Sequence, residues 1–353
     1  MTVAHINAIG TAVPPHDVHI AFMAFARTLL PSARARTLFD RMAERSGIGH
    51  RFSFFRPGVP GATNVDEDGF YQRGAFPSTA RRMEVYATRA VELALDAART
   101  IPLGGVTHVV VASCTGFTAP GLDQMLAERL GLSNRVERSL IGFMGCYAAV
   151  PALRTAHHIV RSEPDARVLV VNLELCTLHM QETPDLETIL SFLLFGDGAT
   201  AALVTKEAHG IVLRDFRAAH LPDTQDLITW KVGDQGFNMH LSGKVPGRIG
   251  TALRAEAERN DQDGVLRDWK LADIPHWAVH AGGRTVLDAV ELGLRLAPAC
   301  LAPSRAVLDA VGNVSSATLM FVLKRMLGGV PGLGLGMAFG PGLCAETFRF
   351  EVL

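Results

Sequence analysis

Three polar side chains at predicted strand-to-helix turns have the chemistry of acyl transfer: Cys146, His280 and Asn313. A thiol is a useful nucleophile only as the thiolate, and a nearby imidazole stabilises that state as imidazolium. An amide N–H beside a histidine N–H can donate two hydrogen bonds to an oxygen that develops negative charge. The set therefore suits acyl transfer through a thioester. Taken singly, His280 is read equally well as a structural residue at a strand end and Asn313 as a helix cap.

The segment around Cys146 predicts a nucleophile at the start of a helix. Gly145 leaves room for a substrate carbonyl, and Pro151 is tolerated in the first helical turn. Unpaired backbone N–H groups and the helix dipole favour an anion there, so we expect a lowered thiol pKa. The alternative is a buried cysteine that acts as a small hydrophobic residue. The helix is predicted from apolar residues at three- and four-residue spacing: Val150, Leu153, Ala156 and Val160.

Composition excludes several classes of function. The chain has 353 residues, is 48% hydrophobic and carries a formal net charge of -1, so nothing draws it to nucleic acid or an anionic membrane. Its five cysteines are scattered without a C-x-x-C pair, which argues against a disulfide framework and a zinc site and favours a reducing cytoplasm. We find no signal-peptide pattern and no apolar run long enough to span a membrane.

The order of predicted elements favours an α/β layered fold with a largely parallel sheet. Each half of the chain runs strand–helix–strand with a residue of interest at a strand-to-helix turn, which is compatible with a duplicated fold, and 1–206 and 207–353 are the expected halves. A polar Gly- and Pro-rich loop follows residue 46, and a Gly-rich loop covers 233–239. Strands are predicted at 3–13, 106–112, 168–174, 200–204, 211–218, 277–280, 333–338 and 345–352. Helices are predicted at 19–46, 81–100, 121–131, after Cys146, at 248–262, from the His280 turn to about 296, and at 317–327.

Five short motifs, in order over nearly the whole chain, resemble the type III polyketide synthases, the chalcone synthase-like branch of the thiolase superfamily, in their bacterial form. Specificity rests on the His-x-Gly-Gly turn, the Gly-Asn-x-Ser-Ser turn and the Phe-Gly-Pro-Gly-Leu tail. The motifs are Gly145-Cys146-Tyr147-Ala148, Leu194-Phe195-Gly196-Asp197-Gly198-Ala199, His280-Ala281-Gly282-Gly283, Gly312-Asn313-Val314-Ser315-Ser316-Ala317 and Phe339-Gly340-Pro341-Gly342-Leu343.

The resemblance implies a homodimer of five-layered α-β-α-β-α subunits built from two duplicated halves. Cys146 would take an acyl group from a CoA thioester, while His280 and Asn313 would bind malonyl-CoA and stabilise the enolate left by decarboxylation. The enolate would attack the Cys146 thioester, and the cycle would repeat before ring closure. No metal or other cofactor is implied.

Other positions acquire roles by the same resemblance. Phe195 matches a gatekeeper between the CoA tunnel and the cavity, and the second gatekeeper position is Met239 rather than Phe. Arg41 and Arg45 match two positions that bind CoA phosphates, and the third is Leu38. From the sequence alone, a solvated helix face is the favoured interpretation of these two arginines over a phosphate site. The residues that fall on cavity-lining positions are Cys114, Thr115, Cys176, His179, Trp230 and Ser315.

The cavity residues leave two product classes open. The stretch from Leu173 to Gln181 resembles bacterial alkylresorcinol and alkylpyrone synthases, which accept fatty acyl starters. Large side chains at His179 and Trp230 favour instead a small starter or a product made from malonyl-CoA alone. Departures from the plant pattern argue against a flavonoid product.

Three rival functions remain at this point. A ketoacyl synthase would perform one condensation and release a linear product, although its usual His-Gln-Ala-Asn turn is absent. A cysteine hydrolase would use Cys146 and His280 to cleave thioesters. A non-catalytic partner subunit would keep the fold alone.

Overall fold

The computed structural model describes residues 2–59, 64–259, 264–266 and 269–353. Two short helical turns at Gly145–Tyr147 and Ser315–Ala317 precede helices that matter below. The strands, in chain order, are β1 His5–Ala12, β2 His16–Asp17, β3 Phe52–Ser53, β4 His108–Ser113, β5 Glu137–Gly142, β6 Val168–Leu175, β7 Asp197–Thr205, β8 Ile211–His220, β9 Ile228–Gly233, β10 Gly236–Leu241, β11 His276–Val279, β12 Gly332–Gly340 and β13 Cys344–Val352. The helices are α1 His19–Leu29, α2 Ala33–Glu44, α3 Thr79–Ala98, α4 Leu122–Arg129, α5 Ala149–Ser162, α6 Leu186–Leu194, α7 Val245–Ala257, α8 Arg284–Leu294, α9 Ala302–Val311 and α10 Thr318–Met326.

The main sheet repeats one pairing pattern twice. Its nine strands run in the order β11-β12-β13-β8-β1-β7-β6-β4-β5, and β1 joins β8 through only two residue pairs. In the first half β4 pairs parallel with β6, while β6–β7 and β7–β1 are antiparallel. In the second half β11 pairs parallel with β12, while β12–β13 and β13–β8 are antiparallel. The repeat confirms the predicted duplicated α/β fold, but the prediction of a largely parallel sheet is wrong, because five of the eight strand pairings in this sheet are antiparallel.

Alternate residues along each strand face different cores, as the two-residue period of a strand requires. Val110 and Ala112 of β4 pack on the central helices α5 and α10, whereas Val109 and Val111 pack on the outer helices α3 and α4. In the second half, Ala338 of β12 faces the same central core, and Met337 faces an outer core that contains α7 and α8. The central helices thus lie between the two halves of the sheet, and the outer helices cover the far side of each half. This order makes five layers.

The single helix predicted at 19–46 is wrong, because the chain breaks at residues 30–32. Proline removes a backbone donor and disfavours helical geometry in the residue before it, and Leu30 before Pro31 is extended. Ser32 then starts α2, since its hydroxyl accepts a hydrogen bond from the Ala35 N–H at 3.1 Å.

Several other boundaries also differ from the sequence-based expectations. Helices α6 and α9 and strand β5 were not assigned, and the predicted loop at 233–239 is largely the hairpin of β9 and β10. The helix predicted at 248–262 is α7, Val245–Ala257, and residues 260–262 lie outside the described residues. Of the helices that the structure describes, none combines the length and apolarity needed to cross a bilayer. The division of the chain at residue 206 stays a prediction.

Candidate active site

Cys146 lies where sequence predicted it, in the turn between β5 and the central helix α5. Gly145 has φ of 75°, and a Cβ there would come within 2.5 Å of Pro341 Cδ, so only glycine permits this approach. A Cβ on Gly340 would likewise meet the ring of Tyr147 at 2.6 Å. The Phe-Gly-Pro-Gly-Leu motif therefore packs directly on the cysteine turn.

His280 directly follows β11 and is 1% exposed. Its backbone N–H donates to the Met337 carbonyl at 2.8 Å, which extends the strand pairing by one residue. Neither ring nitrogen has a hydrogen-bond partner among the described residues. Burial lowers the pKa of the imidazole to about 3. A buried, neutral imidazole with both nitrogens available is suited to proton transfer with a bound substrate.

Asn313 stabilises the turn that leads into α10. Its Oδ1 accepts the Ser315 N–H at 2.9 Å, and its Nδ2 donates to the Gly282 carbonyl at 3.2 Å. Ser315 has φ of 47°, an unfavourable conformation for a residue with a side chain, and the Asn313 carbonyl oxygen helps to hold it. An amide nitrogen has two N–H groups. One N–H of Asn313 therefore donates to the Gly282 carbonyl, and the other is available to the Cys146 sulfur or to a bound substrate.

The three predicted catalytic residues line one cavity together. Phe195 and Met239, the two predicted gate positions, line the same cavity. An adjoining cavity shares Cys146, Phe195 and Met239 and is lined by five further residues that the sequence predicted: Cys114, Thr115, Cys176, Trp230 and Ser315. Residues separated by up to about half the chain thus meet at the carboxyl ends of the strands and the starts of the central helices.

The expected low pKa of Cys146 is not what its surroundings produce. Burial raises the pKa of the thiol to about 11, and hydrogen bonds from Ser315 and Asn313 only partly offset this. The Ser315 hydroxyl lies 3.6 Å from Cys146 Sγ. The prediction took account of the helix N-terminus, which lowers a thiol pKa, but not of the loss of hydration on burial, which raises it. The loss of hydration is the larger effect on Cys146. Formation of thiolate therefore depends on a group that accepts the thiol proton, and His280 lines the same cavity.

Glu174 is a site residue to which sequence analysis assigned no role. It is fully buried on β6 and accepts hydrogen bonds from Ser316 Oγ at 2.5 Å, Thr115 Oγ1 at 2.9 Å and the Cys114 N–H at 3.0 Å. Burial raises the pKa of this carboxyl to about 7, against the effect of these donors. The sequence does carry a signal for this residue, because a carboxylate within the otherwise apolar strand Val168–Leu175 is unusual unless it has buried hydrogen-bond partners.

His179 is not among the described residues that line either cavity, although sequence analysis placed it there. Its Nδ1 accepts the Phe237 N–H at 3.0 Å, so Nε2 carries the proton and donates to the Thr115 carbonyl at 2.7 Å. Its ring stacks on Phe237 with centroids 4.1 Å apart and meets the Trp230 ring edge-on. His179 therefore supports the cavity wall from behind.

The backbone at Phe195 is held by the buried side chain of Arg51. Arg51 Nη1 donates to the carbonyls of Phe192 and Phe195, each at 2.9 Å, and so satisfies carbonyl groups at the end of α6. Arg41 and Arg45 are exposed at the end of α2 and are not among the described residues that line the two cavities.

The fold and the site together define a condensing enzyme of the thiolase type, with its cysteine at one central helix and its histidine and asparagine from the other half. The profile of chalcone and stilbene synthases, N-terminal domain, matches residues 2–208, and the C-terminal domain profile matches 214–353. The chain belongs to this family, the type III polyketide synthases, and is an acyltransferase.

Individual relatives agree with this assignment. The chain is 32% identical over 297 residues to the alpha-pyrone synthesis polyketide synthase-like Pks18 of Mycobacterium tuberculosis, covering 78% of this chain and 75% of that one. It is 33% identical to bisdemethoxycurcumin synthase of Oryza sativa subsp. japonica, covering 98% and 91%.

Solved structures share the fold over the full length. The C-terminal type III polyketide synthase domain of Steely1 from Dictyostelium superposes with a TM-score of 0.89 at 23% identity, covering 99% of each chain. PKS-I of the brown alga Ectocarpus siliculosus gives 0.84 at 27% identity, covering 100% of this chain and 99% of that one.

Proposed function

We propose that this polyketide synthase loads an acyl group from a CoA thioester on Cys146, extends it with malonyl-CoA and cyclises the product to an alkylpyrone or alkylresorcinol. The observation that carries the proposal is the cavity shared by Cys146, His280 and Asn313, with both His280 nitrogens available. The proposal needs no metal or other cofactor, because CoA thioesters supply the acyl group and decarboxylation supplies the electron pair.

Loading begins with transfer of the Cys146 proton to His280, which leaves the overall charge of the cavity unchanged. The thiolate attacks the thioester carbonyl, the bond to the CoA sulfur breaks, and that sulfur takes the proton back from His280. Burial disfavours a separated thiolate or imidazolium, so proton transfer within the pair is the less costly route.

Chain extension uses the hydrogen-bond donors of His280 and Asn313, which are unchanged after loading. His280 and the second N–H of Asn313 bind the carbonyl oxygen of the malonyl thioester. The bond to the carboxylate breaks, CO₂ leaves, and its electron pair forms an enolate whose oxygen these donors stabilise. The enolate carbon attacks the Cys146 acyl carbonyl, a carbon–carbon bond forms, and the Cys146 sulfur leaves as thiolate. Phe195 and Met239 lie at this cavity and form the proposed gate for the CoA arm.

Two considerations support a pyrone or resorcinol product. Pks18, a relative, is named for alpha-pyrone synthesis. The Leu173–Gln181 stretch resembles synthases that accept fatty acyl starters. A small-starter or malonyl-only product is the second candidate, favoured by Trp230. Its indole lines the cavity, and its Nε1 donates to the Cys114 carbonyl at 2.8 Å, which fixes a large ring beside Cys146.

A product profile by mass spectrometry tests the proposal. Purified enzyme is given malonyl-CoA alone and with starters from acetyl-CoA to hexadecanoyl-CoA. Cyclised triketides or tetraketides from fatty starters support the first candidate, and products from malonyl-CoA alone or from short starters support the second. A linear product of one condensation, or free acid without CO₂ release, contradicts both.

We further propose a homodimer formed through β5. This strand ends the nine-stranded sheet, so its outer backbone groups have no strand partner among the described residues. Leu140 on β5 and Phe117 nearby are about half exposed, with values of 50% and 49%. A second copy related by a two-fold axis would pair the same strand with itself and cover these side chains.

Arg41 and Arg45 are the proposed contacts for the CoA phosphates. Both guanidinium groups are exposed, and neither forms an ion pair with another described residue. Guanidinium suits phosphate geometry. The proposed location is the cytoplasm, where the five free cysteines stay reduced.

A further inference from the structure

One histidine and two carboxylates meet at the end of the main sheet that lies away from the active site. His108 and Glu137 are the first residues of β4 and β5 and are direct neighbours in the parallel pairing of these strands. Glu163 is the C-cap residue of α5. The distances from His108 Nε2 to Glu137 Oε2 and to Glu163 Oε2 are both 3.7 Å. We call these three residues the His108 cluster.

The imidazole of His108 is buried and its orientation is fixed by a hydroxyl group. His108 is 6% exposed, and its Nδ1 lies 2.8 Å from Thr107 Oγ1. The same oxygen accepts the Arg167 N–H at 2.9 Å and lies 3.3 Å from the Arg167 carbonyl oxygen. All three contacts are satisfied together when the hydroxyl donates to the carbonyl and Nδ1–H donates to the hydroxyl. The lone pair of Nε2 then faces the two carboxylates, which is the tautomer that a metal-bound histidine has.

Backbone hydrogen bonds hold both glutamates in place. The Glu137 N–H donates to the Thr107 carbonyl at 3.0 Å. The Glu163 N–H donates to the Ile159 carbonyl at 2.8 Å, and the Glu163 carbonyl accepts the Ala166 N–H at 2.9 Å. Both carboxylate side chains are exposed. Only these two side chains therefore need to rotate for their oxygens to close around an ion.

The two carboxylates of the cluster carry negative charge that no lysine or arginine neutralises in the part of the chain that the structure describes. The ion-pair contacts of Glu137 and Glu163 are with His108 alone. Arg138, next to Glu137 in the chain, pairs instead with Asp123 at 3.0 Å. The C-terminus of α5 adds the negative end of the helix dipole at Glu163. A cation at this point is attracted by the dipole and by both carboxylates.

We propose that the His108 cluster binds Zn²⁺ through His108 Nε2 and one oxygen each of Glu137 and Glu163, with water as the fourth ligand. A tetrahedral zinc ion about 2.1 Å from each ligand atom sets those atoms about 3.4 Å apart. The three ligand atoms of the cluster lie within 4.8 Å of one another, so small rotations of the glutamates complete the site. Imidazole with carboxylate favours zinc over Mg²⁺ and Ca²⁺, which prefer oxygen ligands alone.

This zinc ion has a structural role and takes no part in acyl transfer. β4 begins at His108 and leads to Cys114 in the cavity wall, and that length of strand spans about 20 Å. The ion joins the first residues of β4 and β5 to the end of α5. It uses no cysteine, in agreement with the scattered cysteines of the chain. The inference is independent of the proposed function.

Calorimetric titration with ZnCl₂ tests the site on protein that has been treated with EDTA and returned to metal-free buffer. Zn²⁺ is expected to bind at this site with one ion per chain and to raise the thermal unfolding temperature, because a ligand of the folded state stabilises that state. His108→Gln and Glu163→Gln should each weaken this binding at least about tenfold, since the loss of a supporting hydrogen bond alone has an effect of that size.

The matched control is His50→Gln, which changes an exposed histidine that contacts a single carboxylate, Asp17. Its affinity for Zn²⁺ is expected to equal that of the unmodified protein. Zn²⁺ binding that is absent, or that is the same in Glu163→Gln as in the unmodified protein, overturns the proposal. Glu163 is exposed, so this variant decides the matter even where the buried His108→Gln variant unfolds.

The identity of the ligand atoms is tested with two further ions. Co²⁺ bound by nitrogen and oxygen absorbs visible light without a sulfur-to-metal charge-transfer band, and this is the expected spectrum. A sulfur band would place the ion on a cysteine and contradict the proposal. Mg²⁺ is expected to bind more weakly than Zn²⁺, and equal affinities would show that His108 is not a ligand.

Discussion

Phe195 and Asn313 are joined as neighbours on a parallel β-bridge. The Asn313 N–H donates to the Leu194 carbonyl at 2.8 Å, and the Gly196 N–H donates to the Asn313 carbonyl at 3.0 Å. Two backbone hydrogen bonds therefore join the segment of the proposed gate to that of the proposed enolate donor. A change in the position of one is transmitted to the other.

This relationship allows the Asn313 side chain to be tested apart from its backbone. Asn313→Asp keeps the oxygen that holds Ser315 but removes the N–H donor, so malonyl-CoA decarboxylation is expected to fall about 100-fold or more. This variant also loses the hydrogen bond from Asn313 Nδ2 to the Gly282 carbonyl, so its thermal unfolding temperature should fall, and circular dichroism at the assay temperature checks that it is folded. Asn313→Ala also leaves the Ser315 N–H unpaired, which costs about 1–3 kcal/mol of stability. Decarboxylation at the original rate in Asn313→Asp contradicts the donor role.

Cys146→Ala is expected to abolish every polyketide product, because no residue then carries the acyl group. The matched control is Cys300→Ala, which changes a half-buried cysteine away from the site. Product mass spectra and trapping of radiolabelled acyl enzyme measure the effect, and circular dichroism checks the fold. Persistent product in Cys146→Ala would overturn the assignment of the nucleophile.

His280→Ala is expected to shift the reactivity of Cys146 to higher pH. Burial raises the pKa of the thiol to about 11 despite the hydrogen bonds from Ser315 and Asn313, so thiolate forms near neutral pH only when another group takes the proton, and His280→Ala removes the proposed acceptor. The measurement is the rate of iodoacetamide inactivation against pH, with peptide mapping of the alkylated residue. A variant profile that coincides with the unmodified one would show that His280 does not activate the thiol.

Glu174→Gln tests the buried carboxyl network through the pH dependence of stability. The pKa of Glu174 is raised from 4.5 to about 7 in the folded protein, so the folded state holds a proton that the unfolded state has released. This contribution is fully present below about pH 4.5 and is lost as pH rises through about 7. The stability of the unmodified protein relative to Glu174→Gln should fall by about 3 kcal/mol between about pH 5 and pH 8.

Urea unfolding at several pH values measures that difference, with the exposed Glu187→Gln as control. A relative stability that is flat with pH would mean that Glu174 does not titrate in this range.

Leu140→Glu tests the proposed dimer. A charge on the exposed edge strand β5 opposes the same charge on a two-fold related copy, so the variant should sediment as a monomer at concentrations where the unmodified protein is a dimer. The control is Leu292→Glu on α8, which changes another exposed leucine. If both variants sediment as the unmodified protein does, β5 is not the interface.

The positions of the catalytic candidates were predictable because they depend on local pattern. Cys146 precedes a helix of clear apolar period, His280 directly follows a short, mostly apolar strand, and Asn313 follows a glycine with positive φ. Helix α6 was not predicted, because its residues are apolar on nearly every face and give no clear helical period.

Sequence by itself determined the family, the duplicated α/β order and which side chains carry chemistry, since these are set by residue type and short-range spacing. The tertiary structure decided what those side chains experience. It placed His179 behind the cavity wall and gathered Ser316, Thr115 and Cys114 around Glu174. Burial and hydrogen bonding come from segments far apart in the chain, and these in turn set the pKa values of the thiol, imidazole and carboxyl groups.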